Sequence, residues 1–267
     1  MLSTFIMNTS KYHWHSTLSI AFALLMLVSC DKPELDSGPS ENLIFHETFE
    51  GFEPFSTVHN KETGDWEYAL QYVDLPVFTG ARSARFEIQH DQPLVAQGKR
   101  SEVTILMGSE GGLAKSTWYS FAVYFPSDAF ASDTTYDVIS QWYKDGSPVR
   151  LITKRDLFLI DIGSDSVSKE KIEIGELTRD TWHEFIFHFV HSPHSDGYLA
   201  VWHNGKQKVS RSGGNMYNDF LPKWKIGVYK SSFESGTSLV TNRVVFFDNV
   251  KVGNEYASYR DMEPLRP

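Results

Sequence analysis

Lys223-Trp224-Lys225-Ile226-Gly227-Val228-Tyr229-Lys230 is the stretch on which the reading of the chain turns. In a β-strand successive side chains point to opposite faces, so Lys225, Gly227 and Tyr229 share one face and Ile226 and Val228 the other. Ile226 and Val228 belong in a core. The opposite face sets an ammonium and a phenol two pleats apart with a side-chain-free glycine between them. That is a poor surface for packing and a good one for a groove in which a polymer lies against a sheet.

Other segments extend the same reading in both directions. Arg100-Ser101-Glu102-Val103-Thr104-Ile105 alternates, with Arg100, Glu102 and Thr104 opposite Val103 and Ile105. In Val138-Ile139-Ser140-Gln141-Trp142-Tyr143, alternation groups Ile139, Gln141 and Tyr143, and assigns Trp142 to the core. Residues 83–88, 118–125, 151–153, 157–162, 182–190, 198–203, 206–210 and 244–252 also read as strands, rich in aromatic and β-branched residues. Asn204-Gly205 is a favoured two-residue hairpin turn. Residues 60–64 read as a loop. No segment sustains helical periodicity over three turns, and many short strands separated by turn signals define an all-β fold. The expectation is a single-domain β-sandwich of jelly-roll (concanavalin-like) type with a concave groove.

Composition agrees. The 267 residues are 41% hydrophobic and 14% aromatic, enough for one sizeable core. The net charge of −9 argues against general nucleic-acid binding, which asks for a basic face. Cys30 is the only cysteine, so no disulfide framework exists. It follows an apolar run at 18–28, preceded by Lys11 and two histidines, that is short for a membrane span and has the form of a secretory signal. Leu27-Val28-Ser29-Cys30 resembles a bacterial lipobox, in which the cysteine after the cut carries lipid. The expected organisation is a signal at 1–29, lipidated Cys30 with a Pro/Ser-rich tether to residue 43, and one β-domain at 44–267. An exported bacterial lipoprotein, held on a membrane through Cys30 and otherwise monomeric, is the expected state.

Arg100-Ser101-Glu102, then Gln141-Trp142-Tyr143, then Lys225-Ile226-Gly227-Val228-Tyr229 resemble, in that order, the motifs of jelly-roll polysaccharide lyases. The alginate, glucuronan and heparin lyase I-like enzymes share this pattern. The resemblance spans roughly residues 44–252 and includes Phe247-Asp248-Asn249-Val250 near its end. It implies β-elimination on a uronate polymer: removal of the C5 proton, loss of the O4-linked sugar, and an unsaturated product. Alginate or glucuronan suits an acidic protein better than densely sulfated heparin.

The C5 proton is weakly acidic until the neighbouring carboxylate is neutralised. The resemblance gives that role to Gln141 with Arg100 close by. Tyr229 takes the acid or base role, or both. A free phenol has a pKa of about 10, and Lys225 on the same face is expected to lower it. Gly227 is expected to leave room for the sugar ring. Glu102 orients Arg100, and Glu102, Lys230 and Lys144 are expected at the substrate. The family histidine two residues after the glutamine is Tyr143 here. Tyr143 itself, a histidine from another strand with His188 as the candidate, or Tyr229 alone are the three ways to replace it.

No cofactor is expected for the chemistry. Asn218-Asp219 resembles a calcium pair of heparin lyase I-like enzymes, against a plain Asx turn. Glu47 with Asp248 is a second structural calcium candidate. His183-Glu184…His188 lacks the helical spacing of a zinc protease. The paired-carboxylate strand of sandwich glycosidases is absent, which disfavours hydrolysis. A non-catalytic carbohydrate-binding sandwich is the alternative.

Overall fold

The computed structural model describes residues 40–264. The expected leader, Cys30 and most of the tether lie outside the described residues. The first strands are β1 (Leu43–Glu47), β2 (Asn60–Glu62), β3 (Leu70–Val73), β4 (Ser83–Gln89) and β5 (Arg100–Met107). Next come β6 (Ser116–Tyr124), β7 (Asp137–Tyr143), β8 (Val149–Lys154), β9 (Leu157–Ile162) and β10 (Glu170–Glu176). The chain continues through β11 (Trp182–Val190), β12 (Tyr198–His203), β13 (Lys206–Ser212), β14 (Lys223–Tyr229) and β15 (Asn242–Gly253). Two single-turn helices, α1 (Ser232–Ser235) and α2 (Tyr259–Met262), flank β15. None of the described helices is long and apolar enough to cross a membrane.

These strands form two antiparallel sheets. The back sheet has the order β13-β12-β11-β6-β15-β4-β3, with β1 also paired to β15. The front sheet has the order β10-β9-β8-β7-β14-β5-β2. Neighbours in space are mostly not neighbours in sequence, which is the jelly-roll character of the fold. The stretch at 223–229 is an interior strand of the front sheet, hydrogen-bonded to β5 on one side and β7 on the other.

The core lies between the sheets and follows alternation closely. Phe185, Phe187 and Phe189 of β11 meet Trp142 of β7 and Trp224, Ile226 and Val228 of β14. Trp142 packs 4.9 Å from Phe187 and 5.3 Å from Tyr119, both edge-on, the geometry ring quadrupoles favour. Burial of one such side chain contributes about 1.5–3 kcal/mol. Trp224 brings an indole N–H into this layer and donates it to Ser140 at 2.9 Å, so the polar atom is satisfied. The hairpin at Asn204-Gly205 takes positive φ at both residues, 49° and 75°, as its turn type requires.

Three local readings change. Ile139 does not share a face with Gln141; it is in the core, because the pairing register of β7 with β8 shifts between Val138 and Ser140. Residues 60–62 are a short polar edge strand, too brief to show a period. Gly227 does not make room for a ligand. Its φ is 132°, and a Cβ there would stand 2.2 Å from the Ser101 carbonyl oxygen, so the glycine is required by the close approach of β5.

Candidate active site

Register assembles the polar side chains into rows across the outer face of the front sheet. Thr104, Lys225, Gln141, Arg150 and Asp161 are consecutive pairing partners from β5 to β9. Glu62, Glu102 and Gly227 form a second row, and Arg100, Tyr229 and Val138 a third. The three sequence blocks thus converge on one surface. Each contributes through the residues that alternation turns away from the core.

The charges on this face are tightly paired. Lys225 Nζ lies 2.5 Å from Glu62, which also holds Arg100 at 3.3 Å. Arg100 reaches Glu102 at 3.0 Å, and Gln141 Nε2 donates to Glu102 at 2.5 Å while its carbonyl accepts from Ser147. Burial opposes ionisation of Glu62, but Lys225, with Arg100 and Lys223 nearby, holds its carboxyl below the ordinary value. Glu102 shows the opposite balance: burial pushes it up despite the same cations. Two donors of the face, Arg100 Nε and Thr104 Oγ1, are buried without a hydrogen-bond partner, as is the acceptor Asp161 Oδ1. Such donors are costly unless something binds them.

Tyr229 stands beside Arg100, whose guanidinium carbon is 4.5 Å from the ring centroid. Burial first, and Glu234 second, raise the phenol above its ordinary value, with Arg100 pulling the other way. Lys225 is not the tuning group; its ammonium is committed to Glu62. The glycine that gives Tyr229 space is Gly98, where a Cβ would meet the ring edge at 2.8 Å. At the other end of β14, Tyr143 pairs with Lys223, whose ammonium lies 5.0 Å from the Tyr143 ring centroid. A cavity of about 330 Å³ adjoins it, lined by Lys144, Lys223 and Phe220 among others, which is where Lys144 lies.

Two expected site residues lie elsewhere. His188 is on β11 of the back sheet, stacked on Trp118 at 4.1 Å and hydrogen-bonded with Ser116. It points away from the core, as alternation requires, but on the side of the sandwich opposite the groove. Lys230 is fully buried, 2.9 Å from both Asp133 and Asp137, so it is not a substrate contact. The strand ends at Tyr229, and the residue after it turns under the sheet.

The calcium candidates make protein contacts. Asn218 donates to Asp145 and accepts from the Phe220 N–H, an Asx turn, while Asp219 faces His194 at 3.7 Å. Glu47 accepts the amides of Phe49 and Phe55, and Asp248 those of Phe78, Thr79 and Asn249. Among the described residues no group of three or more His, Cys, Asp or Glu side chains is placed to hold a metal.

Sequence reasoning missed Glu62, Arg150 and Tyr136. Glu62 sits on a strand too short for periodicity. Arg150 and Tyr136 adjoin recognised strands; the pairing of Arg150 with Gln141, and the lie of the Arg150 guanidinium 5.1 Å from the Tyr136 ring centroid, bring them to this face.

The fold and site define a two-sheet β-sandwich whose outer front face is polar and charge-paired around a tyrosine. A family profile described as polysaccharide lyase matches residues 47–251, and the chain belongs to that family. It is a polysaccharide lyase. Among solved structures, the chain resembles an endo-β-1,4-glucuronan lyase from the fungus Trichoderma reesei. That match has 15% identity and a TM-score of 0.67, covering 84% of this chain and 100% of the other. A marine PL-14 alginate lyase from Aplysia kurodai matches with 11% identity and a TM-score of 0.55, covering 79% and 98%. A cellulose-induced protein, Cip1, matches with 12% identity and a TM-score of 0.51, covering 78% and 96%. No curated protein sequence matches the chain.

Proposed function

We propose that this lyase cleaves a uronic-acid-containing polysaccharide by β-elimination. The observation that carries the reading is the register of Tyr229 against Arg100 and of Lys225 against Gln141, which puts an acid, a guanidinium and an amide on one face. Arg100 and the second N–H of Gln141 bind the uronate carboxylate and stabilise the enolate charge that develops when C5 loses its proton. Their partners Glu62 and Glu102 fix both groups before substrate arrives. Tyr229, kept protonated by its surroundings, delivers a proton to the departing O4. Alginate and glucuronan are the favoured polymers, supported by the activities named for the two lyase structures.

The test is to incubate the protein with alginate, glucuronan, heparin and related polymers and follow the ultraviolet absorbance of the new C4=C5 bond. We expect absorbance with at least one uronate polymer. Tyr229→Phe is expected to lower kcat by about 10²–10⁴-fold, and full activity in that variant would remove Tyr229 from the chemistry. The tyrosine at position 143, where the family motif has histidine, favours one other reading, a carbohydrate-binding sandwich. Binding to a polymer without any absorbance would support it.

We also infer that Cys30 carries lipid and anchors an exported protein to a bacterial membrane, on the strength of Leu27-Val28-Ser29-Cys30. Incorporation of a labelled fatty acid that persists in Cys30→Ser would exclude it.

A further inference from the structure

Beta-elimination needs a proton acceptor at C5 as well as a donor at O4, and the groove contains a second phenol beside Tyr229. Tyr136 immediately precedes β7, and Val138, two residues on, is the pairing partner of Tyr229. The two phenols are near enough to act on each other, Tyr136 being among the groups that raise Tyr229. Each phenol has its own arginine. Arg100 stacks on Tyr229 at 4.5 Å, and the guanidinium carbon of Arg150 lies 5.1 Å from the Tyr136 ring centroid. Arg150 is in turn the pairing partner of Gln141, so this second pair borders the amide that faces the carboxylate.

We propose that Tyr136 is the base of the reaction and Tyr229 the acid. The Tyr136 phenolate takes the C5 proton; the C5–H electron pair forms the C4=C5 bond; the C4–O4 bond breaks, and O4 takes the Tyr229 proton. The phenol and phenolate then return to their starting states by proton exchange with solvent. This assignment rests on the β-elimination reading above.

The surroundings of the two rings support the division. Burial works against the Tyr136 phenolate, but the Ser231 hydroxyl, donating to the phenol oxygen at 3.4 Å, and Arg150 together hold it below the ordinary phenol value. Asp161 on β9 acts in the opposite sense, though its carboxylate is engaged by Arg150 and Lys169. Tyr229 is displaced upward, by burial first and Glu234 second, with Arg100 pulling the other way. Two titratable groups whose environments separate them in this way fit a base and an acid. The remaining candidates fit less well: His188 is on the other sheet, and Tyr143 pairs with Lys223 at the far end of β14 from Tyr229.

The experiment uses the protein on whichever polymer it cleaves, in ordinary and deuterated water. Tyr136→Phe keeps the ring over which Arg150 lies, and is expected to lower kcat by about 10²–10⁴-fold with KM changed less than threefold. It should also abolish deuterium entry at C5 of the uncleaved polymer. Tyr229→Phe should retain that exchange while losing cleavage. Arg150→Met, a change at a positioning residue, should move the rising limb of the pH–rate profile to higher pH, because the phenolate loses its cation. If wild type cleaves no uronate polymer, the functional reading fails and this assignment falls with it. If wild type cleaves but Tyr136→Phe keeps its rate within threefold, or Arg150→Met leaves the rising limb unmoved, only the role of Tyr136 is overturned.

Discussion

Two clusters of paired carboxylates and cations lie on either side of the end of β14, and they differ in their surroundings. On the groove face, Glu62 and Glu102 hold Arg100 and Lys225. Beneath the sheet, Asp133 and Asp137 hold Lys230 and Arg243. In the buried cluster, Arg243 gives Nε to Asp137 at 3.0 Å and a further N–H to the Ala131 carbonyl at 2.8 Å. Asp133 also accepts from Thr135 and Ser238. On the groove face Arg100 keeps a buried Nε without a partner, next to a half-buried phenol. The same residue types are sealed in one place and stand beside a half-buried phenol in the other. What separates them is a path to solvent: the Arg100 side chain is partly exposed, whereas Lys230 and Arg243 are closed off.

The sharpest way to break this comparison is to remove one cation from each cluster. Lys230→Met leaves Asp133 and Asp137 buried with only Arg243, and removing one partner of a buried pair costs about 3–5 kcal/mol. Urea denaturation should read that loss. Lys225→Met should cost less stability, since Arg100 and Lys223 remain near Glu62. Its effect belongs to the groove, where displacing Arg100 is expected to lower kcat on the order of 10²-fold. Equal destabilisation by the two substitutions would end the distinction. A pH series sharpens it. Burial works against the Asp133 carboxylate, but Ser238, Lys230 and Thr135 hold it below the ordinary value. Its contribution is complete above the usual carboxylate range and is lost as pH falls through and below it. Lys230→Met should show less of this acid-linked loss than wild type.

Two glycines beside Tyr229 give a smaller contrast. Gly227→Ala places a Cβ against the Ser101 carbonyl at positive φ, and strain of that kind costs about 1–3 kcal/mol. Gly98→Ala meets only the far ends of Arg100 and Tyr229, so it should leave the melting temperature nearly unchanged and lower kcat by shifting both groups. The opposite pattern would return Gly227 to the ligand side.

These cases show which parts of the protein were legible in its sequence. Period-two alternation located the core strands, because a buried face tolerates no one-residue slip. Val103, Ile105, Ile226 and Val228 are where it put them. Ile139 was misread because a bulge inserts a residue that no hydrophobic pattern announces. Arg100, Gln141 and Tyr229 were legible through motif order. Glu62, Arg150 and Tyr136 were not, since which strands lie side by side is a property of topology. The fate of Lys230 was equally hidden: its sequence neighbour is at the groove, and only the end of the strand decides that it turns inward.

The smallest expected effect concerns His188, and it tests the division between the two sheets. Burial lowers the pKa of His188, and the ring lies flat on Trp118 with an interplanar angle of 8°. His188→Gln should therefore lose a stacking contact worth about 0.5–1.5 kcal/mol and leave kcat within twofold. A second signature follows from linkage. Below roughly pH 6.5 the unfolded chain binds a proton that the folded imidazole resists, so wild type loses stability on acidification through that range. The glutamine variant lacks this component, and the gap between the two should narrow as pH falls. A hundredfold loss of kcat in His188→Gln, with stability nearly intact, would mean that the back sheet takes part in the chemistry. The stacking of His188 on Trp118, on the sheet opposite Tyr229, predicts that it does not.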